Sequence, residues 1–92
     1  METQPGNKLS NPQGGVVTLR LRNSLQERRT LILEPWTTEY VLEPGQTVVL
    51  VAEGDLSLPL EIELFEDQMI VYAFDSVGAL LSVLTPDGEK LT

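Results

Sequence analysis

The pattern of hydrophobic positions centres on one apolar run, Thr47-Val48-Val49-Leu50-Val51-Ala52. Pro44-Gly45 precedes this run and Gly54 follows it, which leaves too little length for a stable helix. A short apolar run that is mostly β-branched is typical of a strand buried on both faces. The sequence therefore predicts a central strand over residues 47–52.

Alternation of apolar and polar residues predicts two further strands, each with one wet face. In residues 16–22, valine and leucine alternate with threonine and arginine. In residues 60–65, Ile62 and Leu64 are expected to point inward and Glu61 and Glu63 outward. Apolar runs bounded by turn residues complete the set of predicted strands, which are 16–22, 30–34, 39–43, 47–52, 60–65, 69–74, 79–84 and a short edge at 89–91.

Seven to eight short strands with no helical period predict an all-β fold, a small antiparallel β-sandwich. A small, cupin-like β-barrel is the alternative. The sandwich is favoured because residues 47–52 and 69–74, apolar on both faces, fit mid-sheet positions, whereas the charged segments 16–22 and 60–65 fit edges. This arrangement would place Arg20 and Arg22 across from Glu61 and Glu63. Pro44-Gly45 is predicted to form the centre of a type II turn.

The chain length of 92 residues predicts one domain. Residues 1–15 are polar and lack periodicity, so we expect a flexible N-terminal tail, followed by a single sandwich domain over residues 16–92. No segment resembles a signal peptide, and no apolar stretch has the length of a membrane span. The sequence predicts a cytoplasmic protein.

Charge is distributed unevenly along the chain, whose formal net charge is −8. Residues 1–29 carry five basic and two acidic side chains, whereas residues 30–92 carry one basic and twelve acidic ones. An acidic body repels phosphate backbones and anionic lipids, so neither nucleic acid nor a membrane surface is an expected partner.

Most catalytic chemistry is excluded because histidine and cysteine are both absent. The sequence therefore offers no imidazole base, no thiolate nucleophile and no thiolate or imidazole ligand for a metal. A carboxylate pair, Glu61 and Glu63, could in principle hydrolyse a glycoside, but any half-exposed strand shows the same alternation. We expect no enzyme activity, no cofactor and no metal site.

Trp36 is the most distinctive candidate for binding, because it follows Pro35 in a predicted loop. Glu34, Glu39 and Tyr40 lie beside it in sequence, and an exposed tryptophan near a tyrosine is a common binding anchor. The alternative is that Trp36 folds back and caps one end of the core. These four residues form the predicted binding site.

Over residues 16–85 the sequence resembles cupredoxin-like and immunoglobulin-like sandwiches. The resemblance is carried by the strand Val17–Asn23, the turn Leu42–Val48 and the run into Gly54-Asp55. Cupredoxins bind copper through histidine, cysteine and usually methionine, and here only Met69 could serve, so the resemblance implies the fold without the copper. The Pro-Gly and Gly-Asp signals are also similar to those of cupin barrels, and the chain most resembles small bacterial β-sandwich proteins of unknown function.

Together these features predict a non-catalytic, acidic module that binds another protein or a second copy of itself. Self-association is suggested because strands apolar on both faces exceed what one thin sandwich buries. The alternative is a β-barrel that binds a small ligand or a metal through carboxylates, or a minimal carboxylate enzyme.

Overall fold

A computed structural model describes residues 14–92, which form seven strands and no helix. The strands are β1 Gly14–Arg22, β2 Arg29–Glu34, β3 Thr38–Leu42, β4 Thr47–Asp55, β5 Glu61–Leu64, β6 Gln68–Tyr72 and β7 Leu80–Leu84. Each of the first seven predicted segments forms one of these strands. The predicted edge at 89–91 is reduced to an isolated bridge between Leu84 and Lys90.

The strands form two sheets, with the order β1-β4-β7 in one and β3-β2-β6-β5 in the other. No ladder joins the two sheets within residues 14–92, so the all-β fold is a sandwich and not a closed barrel. Every pairing is antiparallel except that of β2 with β6, which is parallel. The antiparallel β-sandwich predicted from the sequence is confirmed as a sandwich, and this one pair departs from antiparallel pairing, because β3, β4 and β5 separate β2 from β6 along the chain.

The core lies between the sheets and draws on both of them. Its members alternate along their strands, because successive side chains point to opposite faces of a sheet. The buried apolar residues are Leu31, Leu33, Leu42, Val48, Leu50, Ala52, Val71, Phe74, Leu81 and Val83. Their removal from water supplies the main driving force for folding.

Strand β4 is the middle strand of its sheet, as predicted, but it is not buried on both faces. Val48 and Leu50 are fully buried, whereas Val49 and Val51 on the outer face are only half-buried. Val49 and Val51 remain half-buried because no layer within residues 14–92 covers the outer face of the three-stranded sheet. Strand β6 is also interior and β5 is an edge strand, as predicted.

The predicted pairing of Arg20 and Arg22 with Glu61 and Glu63 does not occur. Arg20 lies across from Val49 and Arg22 from Thr47, while β5 pairs with β6 in the other sheet. Sequence alternation defines the face on which a side chain lies but not the strand beside it.

The side chain of a buried asparagine, Asn23, connects the end of β1 to neighbouring segments through hydrogen bonds. Its Nδ2 donates hydrogen bonds of 2.9 Å to Glu27 O and 3.0 Å to Leu42 O, and its Oδ1 accepts one of 3.0 Å from Leu25 N. The side chain is thus satisfied although it is only 5% exposed.

The turn at Pro44-Gly45 forms as predicted. Gln46 N donates a 3.0 Å hydrogen bond to Glu43 O, and Gly45 has the positive φ of 81° that a type II turn requires. The same turn is joined to β1, because Gly45 N donates a 2.7 Å hydrogen bond to Asn23 O.

The predicted flexible tail lies mostly outside the described residues, which begin at Gly14. Gly14 and Gly15, placed in that tail by the sequence prediction, are the first two residues of β1.

Candidate functional site

The outer face of the four-stranded sheet gathers carboxylates from strands that are distant in sequence. One row across the sheet runs Glu39, Ile32, Ile70, Glu63, and each residue lies directly across from the next. Directly opposite residues on neighbouring strands share a face and have Cβ atoms about 4.5–5.5 Å apart. An apolar pair is therefore flanked by two carboxylates.

The next row on the same face runs Glu34, Tyr72, Glu61. We call the surface formed by both rows the acidic face, with Glu34, Glu39, Glu61 and Glu63 around Ile32, Ile70 and Tyr72. No arginine or lysine occupies an outward position on strands β2, β3, β5 or β6. Neighbouring strands are about 4.8 Å apart, so Glu39 and Glu63 lie about 14 Å from each other at the two edges of the sheet, and Glu61 lies about 7 Å from Glu63 along β5. The face therefore presents four carboxylates of one sign, of which Glu61 and Glu63 lie within one Debye length, about 8 Å at physiological salt.

Tyr72 is held within the acidic face by a carboxylate on the neighbouring strand. Its hydroxyl donates a 2.9 Å hydrogen bond to Oε1 of Glu63. That bond, then partial burial and the negative charges of Glu63, Glu61 and Glu34, raises the pKa of Tyr72 above its ordinary value, because each favours the neutral phenol.

The turn between β2 and β3 places Trp36 at one end of the acidic face. Thr37 has a positive φ of 57°, and its Oγ1 donates a 3.1 Å hydrogen bond to Oε1 of Glu34. Trp36 is 45% exposed and does not belong to the core cluster. The alternative in which Trp36 caps the core is therefore wrong.

An open groove with a volume of about 1010 Å³ runs beside this turn. Its walls include Pro35, Trp36, Glu34, Glu61, Tyr72 and the fully exposed Val77. Aromatic, apolar and anionic groups thus meet at one surface, which is continuous with the acidic face through Glu34, Tyr72 and Glu61.

The structure brings together some of the four predicted site residues and separates others. Glu34 and Trp36 line the groove, whereas Glu39 lies outside the groove lining, on the neighbouring edge strand β3 and on the acidic face. Tyr40 points inward, packs against the core and accepts a 2.7 Å hydrogen bond from Gln46 Nε2. Tyr40 therefore does not accompany Trp36 in the groove, because its side chain packs against the core.

Sequence reasoning missed the contribution of Glu61, Glu63 and Tyr72 to this surface. The alternation of Glu61 and Glu63 was visible, but only the register of β5 on β6 and of β6 on β2 places them near Glu34. Their association requires a parallel pairing that sequence alternation does not reveal.

The described residues contain neither a cluster of metal ligands nor a membrane-spanning helix. Among residues 14–92, no three carboxylates come close enough to hold a metal ion. The part of the chain that the structure describes contains no helix with the length and apolarity needed to cross a membrane.

No protein-family model, curated protein or solved structure matches this chain. The chemistry that the molecule can support is accordingly judged from its own geometry.

Proposed function

We propose that this protein is a non-catalytic interaction module that binds a basic, partly apolar segment of a partner protein on the acidic face. The observation that carries the proposal is the row Glu39, Ile32, Ile70, Glu63, in which an apolar centre lies between carboxylates. Protein interfaces commonly have this organisation, with an apolar centre inside a polar rim.

Electrostatics supports a partner that carries lysine or arginine. The four carboxylates of the acidic face lie on strands without an outward basic residue, so they attract cationic side chains and repel phosphates. Trp36 adds an exposed aromatic surface at one end, which suits a cation stacked on its ring.

The proposal can be tested by following the fluorescence of Trp36, the only tryptophan in the chain. The probe is a synthetic peptide of alternating lysine and isoleucine, and a matched peptide of glutamate and isoleucine is the control. We expect a saturable change in emission with the lysine peptide alone. The affinity should fall as salt is added, because the attracting charges are exposed.

Matched charge variants distinguish the acidic face from the overall negative charge. Replacing Glu39→Gln together with Glu63→Gln should weaken binding about fivefold to tenfold, as expected for two exposed ion pairs. Replacing Glu53→Gln together with Glu89→Gln removes the same charge elsewhere on the molecule and should leave binding unchanged. Equal effects of the two double variants would contradict the proposal.

Light scattering of the protein alone adds a separate outcome. Association at low salt that is lost in the Glu39→Gln, Glu63→Gln variant would identify the basic segment as that of a second copy, whose β1 exposes Arg20 and Arg22.

A further inference from the structure

The inner face of β5 is an apolar surface that the opposite sheet leaves open. Ile62 and Leu64 lie across from Val71 and Met69, and they therefore point toward the interior. Val71 is fully buried, yet Ile62 is 39% and Leu64 75% exposed. The sequence predicts that both side chains point inward. In the structure they do point inward, but within residues 14–92 no residue of the opposite sheet covers them.

Ile62 and Leu64 remain exposed because the two sheets have different numbers of strands. A three-stranded sheet faces a four-stranded one, and β5 is the edge strand of the larger sheet. Within residues 14–92, no strand lies opposite β5. Its inner face forms a ledge about one strand wide, since neighbouring strands are about 4.8 Å apart.

The free edge of β1 lies beside this ledge. A groove of about 510 Å³ is lined by Leu21 and Leu25 from β1 and its following loop, and by Leu64, Phe65 and Met69 from the other sheet. Among the described residues, β1 pairs only with β4. Within residues 14–92, its other edge therefore offers unpaired backbone groups next to exposed apolar side chains.

The register defines which backbone groups are available at that edge. Asn23 N donates a 2.9 Å hydrogen bond to Gln46 O, which makes Asn23 a hydrogen-bonded position of the ladder with β4. Because such positions alternate along an antiparallel pair, Val16, Thr18, Arg20 and Arg22 direct their N–H and C=O groups to the free edge.

Charge indicates what kind of strand fits there. Arg20 and Arg22 are exposed on the outer face of β1 and form no ion pair with another residue of 14–92. Arg29 also lines the groove and pairs at 3.4 Å with Glu27, and Glu66 is the one carboxylate in the lining. A strand added beside β1 would place its outward side chains next to Arg20 and Arg22.

We infer that an extended acidic peptide of a partner protein adds to the edge of β1 as a fourth strand, with alternate apolar side chains seated on Ile62 and Leu64. Backbone hydrogen bonds to β1 provide affinity. Contacts with Ile62 and Leu64, and attraction to Arg20 and Arg22, provide selectivity. This site is separate from the acidic face, because Glu61 and Glu63 lie on the opposite side of β5.

The same geometry argues against a second folded copy as the occupant. Antiparallel pairing of β1 with β1 of another sandwich would align the two three-stranded sheets edge to edge. The projecting β5 of each copy would then occupy the space needed by the partner's larger sheet. A single extended segment meets no such obstacle.

The test uses the full chain and a fluorescent heptapeptide of alternating glutamate and valine, measured by anisotropy. We expect saturable 1:1 binding, and weaker binding of the corresponding serine and valine peptide, which lacks the cations that would bind the acidic face. Two further probes carry N-methyl groups on alternate residues, one on each of the two sets. Only the set that faces β1 needs its N–H groups, so one methylated peptide should lose binding and the other retain it.

Variants of the protein test the apolar contact with Leu64 and the contribution of Arg20 and Arg22. Leu64→Ser should weaken binding about tenfold, as expected for the loss of one apolar contact. Leu80→Ser, a matched change at an exposed leucine on β7, the other edge strand of the three-stranded sheet, should have no effect. Arg20→Glu with Arg22→Glu should abolish the preference for the glutamate peptide over the serine peptide.

Amide hydrogen exchange of the full chain separates the possible occupants. The N–H groups of Val16, Thr18, Arg20 and Arg22 should exchange rapidly in the free protein and slowly with the peptide. Protection in the free protein would show that the chain's own residues 1–13 or a second copy occupies the edge. That result, absence of binding, or equal binding of both methylated peptides would overturn the inference.

Discussion

Two glycines that face each other across β1 and β4 have very different surroundings. A Cβ atom added to Gly54 would lie 2.8 Å from Cβ and 2.9 Å from Cδ2 of Phe74, which is a buried residue. A Cβ atom added to Gly15 would lie 2.8 Å from Cδ1 of Leu56, the end of an exposed side chain that can rotate away.

We predict that Gly54→Ala lowers the free energy of unfolding by about 1–3 kcal/mol, since a packed core resists added volume. Gly15→Ala should change it by less than about 0.5 kcal/mol. Urea unfolding measures both, and a shift in the midpoint at constant slope identifies a change in stability. Equal losses at the two positions would contradict the packing around Gly54.

Individual residues also show how far the candidate site could be predicted. Glu34 and Trp36 were correctly placed together because a turn of three residues keeps them close. Tyr40 was separated from them by strand alternation, which directs it to the core beside Leu42. Glu61 and Tyr72 joined the site only through strand pairing, a property that short sequence windows do not contain.

At the scale of elements, the pairing of β5 with β6 has a consequence for titration. Tyr72 donates its hydroxyl proton to a hydrogen bond with Glu63, and this raises its pKa.

We predict that absorbance of tyrosinate will show Tyr72 ionising above the ordinary range, and that Glu63→Gln will lower the pKa of Tyr72 toward its usual value. The folded state holds the proton of Tyr72 more tightly than the unfolded state. Stability should therefore decline as pH rises from the ordinary tyrosine pKa toward the raised one. An unchanged titration curve in the Glu63→Gln variant would contradict the role of the hydrogen bond.

The elements themselves were largely predictable, because alternation and turn chemistry act over a few residues. Pro44-Gly45 formed the predicted turn, and all seven strands occur where apolar runs or alternation indicated them. Pairing was less predictable. The parallel pairing of β2 with β6 joins segments separated by three other strands. Short sequence windows therefore do not predict it.

At the scale of the molecule, the sandwich is closed over one part of its interior and open over another. Leu50 is fully buried between the sheets, whereas Leu64 points inward from β5 and is 75% exposed. The same substitution at these two leucines should therefore have different effects.

We predict that Leu50→Ala lowers the free energy of unfolding by about 2–5 kcal/mol, through lost burial and a residual cavity. Leu64→Ala should change it by less than about 0.5 kcal/mol. Thermal and urea unfolding of the full chain provide the measurement. A loss at Leu64 as large as that at Leu50 would show that β5 is covered in solution.

The sequence by itself determined the all-β class, the strand segments, the Pro44-Gly45 turn and the excess of carboxylates. These properties depend on composition or on the side-chain period of a strand, and both are local. Only the tertiary structure decided which strands are neighbours, that Trp36 is exposed, and that Ile62 and Leu64 face inward without cover. Those features depend on the layer opposite each strand, and a sheet of three strands cannot cover a sheet of four.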